Sequence, residues 1–228
     1  MFVCICCGDE ASTLYTIYSP EIINCQSCKS CGKIVDKYVE YDIAIVIIDL
    51  LVCKLEAYRH ILWNVYFPRL PQLFILSCIL SGFSAWITTT NLGDLPIDTV
   101  HATINSELYV YILLKAFSSF LIGCTLYLFG FIIRFKIKSI DIIKVLALTN
   151  LCSLLTLLAH PWRFRVAMRS PIWAGYFPAI LTFISRLTTT IPSYKALTNA
   201  SYTFCCLVSF VACSTAFYFE IRFIQQAS

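Results

Sequence analysis

From Leu70 onward the chain is a succession of apolar stretches, each about as long as a bilayer is thick. They run near 70–90, 109–133, 140–159, 172–191 and 203–223. At about 1.5 Å per residue, some twenty residues cover roughly 30 Å. Backbone polar groups inside hydrocarbon must be satisfied within their own segment, so such stretches become helices. Hydrophobic residues make up 59% of the chain and charged residues 13%, with a mean hydropathy of +0.77. An ordinary soluble domain carries about 25% charged residues, and even a large globule leaves about a quarter of its unfolded surface in water. The composition excludes a soluble globule and makes the bilayer the solvent. The expected class is an all-α polytopic membrane protein of four or five transmembrane helices, with residues 68–228 supplying the spans.

Lysine and arginine bias sets the expected orientation. The connector 91–108 carries Asp94, Asp98 and Glu107 and no Lys or Arg, which makes it lumenal. Lys54, Arg59 and Arg69 before the first span belong on the cytosolic side, as do Arg134, Lys136 and Lys138 after the second. Arg163, Arg165 and Arg169 strain the rule if 140–159 crosses. Five crossings would place the C-terminus in the lumen, whereas a re-entrant third segment would leave it cytosolic; five are expected. The opening Met1-Phe2-Val3-Cys4 has no basic region and no long apolar run, so the first span is expected to act as an internal signal. The net charge of +4 comes without the Lys/Arg runs that nucleic acid requires and suits anionic headgroups.

Six of the 13 cysteines crowd into the first 31 residues. The others include Cys78, Cys124, Cys152, Cys205, Cys206 and Cys213, which lie in apolar stretches and read as small hydrophobes. Cys4-Ile5-Cys6-Cys7-Gly8 and Cys28-Lys29-Ser30-Cys31-Gly32 each set two cysteines two residues apart before a glycine. That spacing lets two thiolates grip one tetrahedral metal ion, and the glycine permits the tight turn. Twenty residues lie between Cys7 and Cys28, within the range for a two-knuckle zinc site. One structural zinc ion on Cys4, Cys7, Cys28 and Cys31 is expected, because four thiolates leave no open coordination position. Residues 1–41 would then be a zinc-ribbon-like knuckle that draws much of its folding energy from the metal. Two registers compete: Cys25 and Cys28 also have two residues between them, and Cys6 rivals Cys4 or Cys7. The Cys-Gly ending favours Cys28 with Cys31. Disulfides would need an oxidising compartment, which the charge bias denies this end of the chain.

Residues 42–67 carry a helical pattern. Asp42, Asp49, Cys53, Glu56, His60 and Asn64 form one narrow polar stripe, and the remainder is mostly apolar, including Ile43, Ile47, Leu50, Leu51, Leu55 and Leu62. A transmembrane placement would bury Asp49 at about 2.5–3.5 kcal/mol. An amphipathic helix lying in the membrane interface fits better, and packing on the knuckle or on the spans is the alternative. Lys54 and Arg59 flank the stripe with stems long enough to reach headgroups. Together with His60 and Trp63 they are the candidates for lipid contact. Lys115, Lys144 and Arg186 stand at membrane depth, where a charge needs a cavity, a partner or a headgroup.

The order of these motifs resembles one family. Cys-x-x-Cys-Gly is followed by Tyr18-Ser19-Pro20, the second Cys-x-x-Cys, then Val35-Asp36-Lys37-Tyr38-Val39-Glu40-Tyr41 and Lys54-Leu55-Glu56-Ala57-Tyr58-Arg59-His60-Ile61-Leu62-Trp63-Asn64. This closely resembles the ARV family of endoplasmic-reticulum proteins, over the homology domain that here spans residues 1–67. The resemblance implies a role in sterol distribution from the endoplasmic reticulum, with effects on sphingolipid metabolism and on glycosylphosphatidylinositol anchor assembly. It implies membrane lipids as partners, sterol and anchor precursors among them, and lipid-biosynthetic enzymes if the protein is a scaffold. No catalytic residues are expected: the chain shows no Ser/His/Asp set, no phosphate-cradling loop and no carboxylate pair at membrane depth. Its three histidines, His60, His101 and His160, are scattered, and His160-Pro161-Trp162 reads as an interfacial anchor.

Overall fold

The computed structural model describes residues 2–19, 22–89, 97–135, 137–153 and 171–227. The end of the expected third span, His160-Pro161-Trp162 and Arg163, Arg165 and Arg169 lie outside the described residues, as do Asp94 and Lys136. The chain forms two compact units. One comprises Met1–Pro68 with Ile191–Cys205, and the other Arg69–Thr190 with Cys206–Ser228.

The first unit opens with short strands, between Phe2 and Cys25, because the sequence there mixes cysteine and polar residues without the apolar period of a helix. Strand β1 (Phe2–Val3) pairs antiparallel with β2 (Glu10–Ala11), Phe2 opposite Ala11 and Val3 opposite Glu10. Strands β3 (Tyr15–Ser19) and β4 (Ile22–Cys25) form a hairpin in which Tyr15 faces Cys25 and Ile17 faces Ile23, with an irregular register beyond Ile17. Cys4, Leu14, Cys28 and Val35 make a small core, with Phe2, Ala11 and Val39 packed on it. A 3₁₀ turn at Lys37–Val39 is capped by Asp36, which accepts from the Tyr38 amide.

The patterned segment 42–67 is helical in two pieces rather than one. Helix α1 (Ile43–Leu51) starts at Asp42, whose side chain accepts from the Ala44 amide. It stops where Cys53 takes a left-handed conformation, φ 60°, which ends helices routinely but costs a non-glycine residue energy. Across this break the Lys54 amide donates to the Asp49 carbonyl at 2.9 Å, and the Lys54 ammonium pairs with the Asp49 carboxylate at 2.7 Å. The chain then continues as α2 (Leu55–Arg59) and one π-helical turn, His60–Asn64. The physical reason for the break lies in the second piece, whose polar residues find their partners on the knuckle rather than along α1.

The second unit is helical. Its elements are α3 (Leu70–Thr89), α4 (Ile97–Ile132), α5 (Ser139–Ser153), α6 (Pro171–Thr198, of which the part to Thr190 belongs here) and α7 (Tyr202–Ala227, from Cys206 onward). Among the described residues, three stretches are long and apolar enough to cross a bilayer: Leu70–Ile87, Glu107–Ile132 and Tyr202–Phe223. This is a mostly helical, multi-pass membrane protein with a small stranded N-terminal unit. Helix α4 starts before the expected span at 109, and α6 continues past the expected end at 191 to Thr198. Helix α4 begins within the polar connector, because adding a turn to a formed helix costs far less than nucleating one. Helix α6 runs unbroken through Pro178, as membrane helices do when neighbours absorb the lost backbone bond. Pro171 opens α6, where its missing N–H is no loss. Helices α3 and α4 approach closely at Gly82: a Cβ there would stand 2.7 Å from the Ile112 Cα.

Candidate metal centre and the helix beside it

Two loops of like construction bring four sulfurs together. In the first, the Gly8 amide donates to the Cys4 carbonyl at 2.9 Å and the Cys4 amide to the Asp9 carbonyl at 2.8 Å. In the second, Gly32 donates to Cys28 at 2.9 Å and Cys28 to Lys33 at 2.7 Å. Gly8 and Gly32 take φ values of +88° and +72°, the left-handed region that closes each turn behind its second cysteine. Gly8 has a second constraint, since a Cβ would meet Asn199 at 3.0 Å and Arg59 at 3.1 Å. The amide of Val35 donates to the Gln26 carbonyl, and that of Ile5 to the Val35 carbonyl. Val35 thereby ties the two loops together.

The sulfurs of Cys4, Cys7, Cys28 and Cys31 lie within 4.8 Å of one another. Cys4 to Cys31 is 3.8 Å and Cys7 to Cys28 is 3.6 Å. A tetrahedron of thiolates about 2.3 Å from a central ion has edges of about 3.8 Å, so the donor set fits one metal ion. Cys25 stands outside the set, its thiol donating to the Glu40 carboxylate at 3.2 Å. Cys6 is not among the four either. The register with Cys28 and Cys31 is the one that folds, because only there do both loops present a glycine at the left-handed corner. Backbone amides of Cys31 and Ser30 pull the Cys28 thiol down to about 6. Burial pushes Cys7 up to about 12 and, helped by Glu40, Cys25 up to about 11. The contrast follows from the turn: its amides point at Cys28 and favour the thiolate.

Beside the cluster lies a polar hub that sequence reasoning did not find. Asp36 is wholly buried and receives three donors: the Tyr38 amide at 3.0 Å, the Asn64 amide group at 2.6 Å and His60 Nδ1 at 2.7 Å. Asn64 also exchanges two hydrogen bonds with the backbone of Val3, at 2.9 and 3.0 Å, and so completes the edge of β1 as a strand would. Arg59, only 3% exposed, donates to the carbonyls of Ile5 and Cys6 at 3.0 and 2.6 Å and to Asn199 at 2.7 Å. Trp63 Nε1 donates to the Ala196 carbonyl at 3.0 Å. Of the four expected lipid-contact residues, then, Arg59 and His60 are turned into the knuckle and Trp63 binds the chain near residue 196. Lys54 keeps an exposed stem. The advance signals were that His60 and Asn64 share the polar stripe of residues 42–67 and that Asp36, His60 and Asn64 all sit in the motif string that carries the family resemblance.

Helix α1 behaves differently. Val46, Asp49 and Leu50 face inward, and Asp49 accepts from the Tyr38 hydroxyl at 2.8 Å. Lys54 and Tyr38 hold the Asp49 carboxyl below its ordinary value, while burial and Asp49 raise the Tyr38 phenol. The opposite face is apolar and bare: Ile43 is 65% exposed, Ile48 58% and Val52 65%, with Ile47 and Leu51 between them.

A sequence model of the Arv1-like family matches residues 3–197, well past the homology domain. Protein ARV1 of Homo sapiens is 37% identical over 99 residues, 42% of this chain and 36% of that protein. Protein ARV1 of Mus musculus is 32% identical over 127 residues, 54% and 48% respectively. Protein ARV1 of Saccharomyces cerevisiae is 45% identical over 62 residues, 27% and 19% respectively. The matched stretch thus covers less than half the length of each of these relatives. No solved structure matches the chain.

Proposed function

The chain belongs to the Arv1-like family, and from that premise we propose that it is a lipid-homeostasis protein of the endoplasmic-reticulum membrane that takes part in distributing sterol. The observation that carries this reading is the bare face of α1, Ile43, Ile47, Ile48, Leu51 and Val52. Nothing about water favours such a face, whereas the interfacial region of a bilayer does. In this reading the four thiolates hold one zinc ion, the metal best matched to a closed tetrahedral sulfur site. The ion is structural: it stiffens the knuckle on which α1 rests. The Lys/Arg bias supports a cytosolic N-terminal unit, so α1 would lie in the cytosolic leaflet and the spans would shelter or pass the lipid. Effects on sphingolipid metabolism and on glycosylphosphatidylinositol anchor assembly would follow from altered lipid supply, without catalysis by this chain.

A photoactivatable sterol offered to the purified full chain tests the reading. Saturable labelling that unlabelled sterol competes away is expected, and labelling that never saturates overturns it. Purification in mild detergent tests the competing scaffold idea. A stoichiometric biosynthetic enzyme that is lost from Cys28→Ser, with no sterol labelling, would favour the scaffold instead.

A further inference from the structure

The helical unit buries a cluster of three charged side chains that the sterol reading does not use. Lys115 on α4, Arg186 on α6 and Glu220 on α7 are 5%, 4% and 6% exposed. Lys115 Nζ reaches one Glu220 oxygen at 2.6 Å, and Arg186 Nη1 reaches the other at 2.6 Å. Two cations share one carboxylate, which leaves the cluster with one positive charge in excess. Arg186 Nη1 also lies 3.4 Å from the Ser118 hydroxyl, so its hydrogen-bonding is directed to one side. On the other side Nε and Nη2 are buried and have no hydrogen-bond partner among the described residues. Those two atoms form one edge of the guanidinium, with parallel N–H groups spaced to meet two oxygens of a single phosphate or carboxylate. The charge that is missing and the donors that are idle sit on the same residue.

We propose that this edge of Arg186 is a binding site for the phosphodiester of an anionic glycerophospholipid. A monoanionic phosphodiester supplies both deficits: one negative charge, and two free oxygens for the paired donors. Its place in the helices favours a lipid over a free anion. Glu220 lies three residues from Phe223, the end of its apolar stretch, and Lys115 eight residues from Glu107. These separations are roughly 5 and 12 Å along the helices, the depth a headgroup reaches when a charged side chain draws it inward. The proposal goes beyond the sterol reading, since a sterol has no charge to offer this site.

The test uses the purified full chain in a neutral maltoside detergent with a phosphatidylglycerol probe fluorescent on its acyl chain. Unlabelled phosphatidylglycerol should displace the probe at least ten-fold more effectively than diacylglycerol of the same chains, and millimolar inorganic phosphate should displace little. Equal displacement by diacylglycerol overturns the site, and this arm needs no variant. Displacement by inorganic phosphate at the lipid's own concentration overturns the lipid assignment. Arg186→Lys keeps the charge but loses the paired donors, and should weaken probe binding about ten-fold while sterol labelling is unchanged. Undiminished binding by a folded Arg186→Lys overturns the proposal. Loss of sterol labelling in the wild-type chain, with phospholipid binding intact, would sink the sterol reading alone.

Discussion

At the residue scale the N-terminal unit depends on a few buried polar groups whose partners are far away in sequence. On the zinc proposal, metal analysis of the purified chain should give one ion per molecule, falling toward zero in Cys28→Ser and in Cys31→Ser. Arg59→Lys tests the clamp on the first cysteine loop. Lysine cannot serve two carbonyls and Asn199 in the same geometry, and one buried carbonyl left bare costs about 1–3 kcal/mol. A fall in the thermal midpoint of the knuckle, without loss of membrane insertion, is expected. Asp49 predicts a pH dependence. Its folded carboxyl is held below the ordinary 3.8 by Lys54 and Tyr38, so its stabilisation is fully present above that value and is lost as pH falls through the lower, folded one. The gap in thermal midpoint between wild type and Asp49→Asn should therefore be widest near neutrality and close in acid below about pH 4. A gap that widened on acidification would contradict the ion pair.

Helix α1 and its continuation show how one amphipathic pattern can serve two surfaces. The break at Cys53 lets α1 keep a bare isoleucine face while α2 and the π turn press Tyr58, Arg59 and Leu62 inward. A photo-crosslinking residue at Ile47 or Ile48, in the full chain reconstituted in bilayers, should capture lipid, whereas one at Val46 should not. Equal capture at all three positions would show that α1 does not lie on the membrane by this face. Helix packing in the second unit makes a separate prediction. Gly82→Leu would drive a side chain into the backbone of α4 near Ile112, and overpacking of that kind costs about 1–3 kcal/mol or more. The variant should unfold at lower temperature in detergent.

For the whole molecule, two cores of different origin imply two different sensitivities. The knuckle within the first unit has a cluster of a few buried residues around sulfur, and a core that small gains much of its folding energy from a metal when one is bound. The second unit buries apolar and polar side chains among its helices. A strong chelator should abolish the near-ultraviolet signal of the knuckle tyrosines while most far-ultraviolet helix signal remains; simultaneous loss of both would show that one core cannot stand without the other. Much of this was legible in the sequence. Long apolar stretches dictate helices because hydrocarbon offers backbone groups no other partner, and two Cys-x-x-Cys-Gly loops dictate a four-sulfur cage because the spacing and the glycines act locally. What only the tertiary structure decided depends on long-range pairing. It broke the expected single helix at Cys53. It also drew Asp36, His60 and Asn64 into one hub, and set Lys115, Arg186 and Glu220 side by side from three helices. Local pattern carries no information about which distant charge will answer a buried one, since that is set by packing, and packing exists only once the chain has folded.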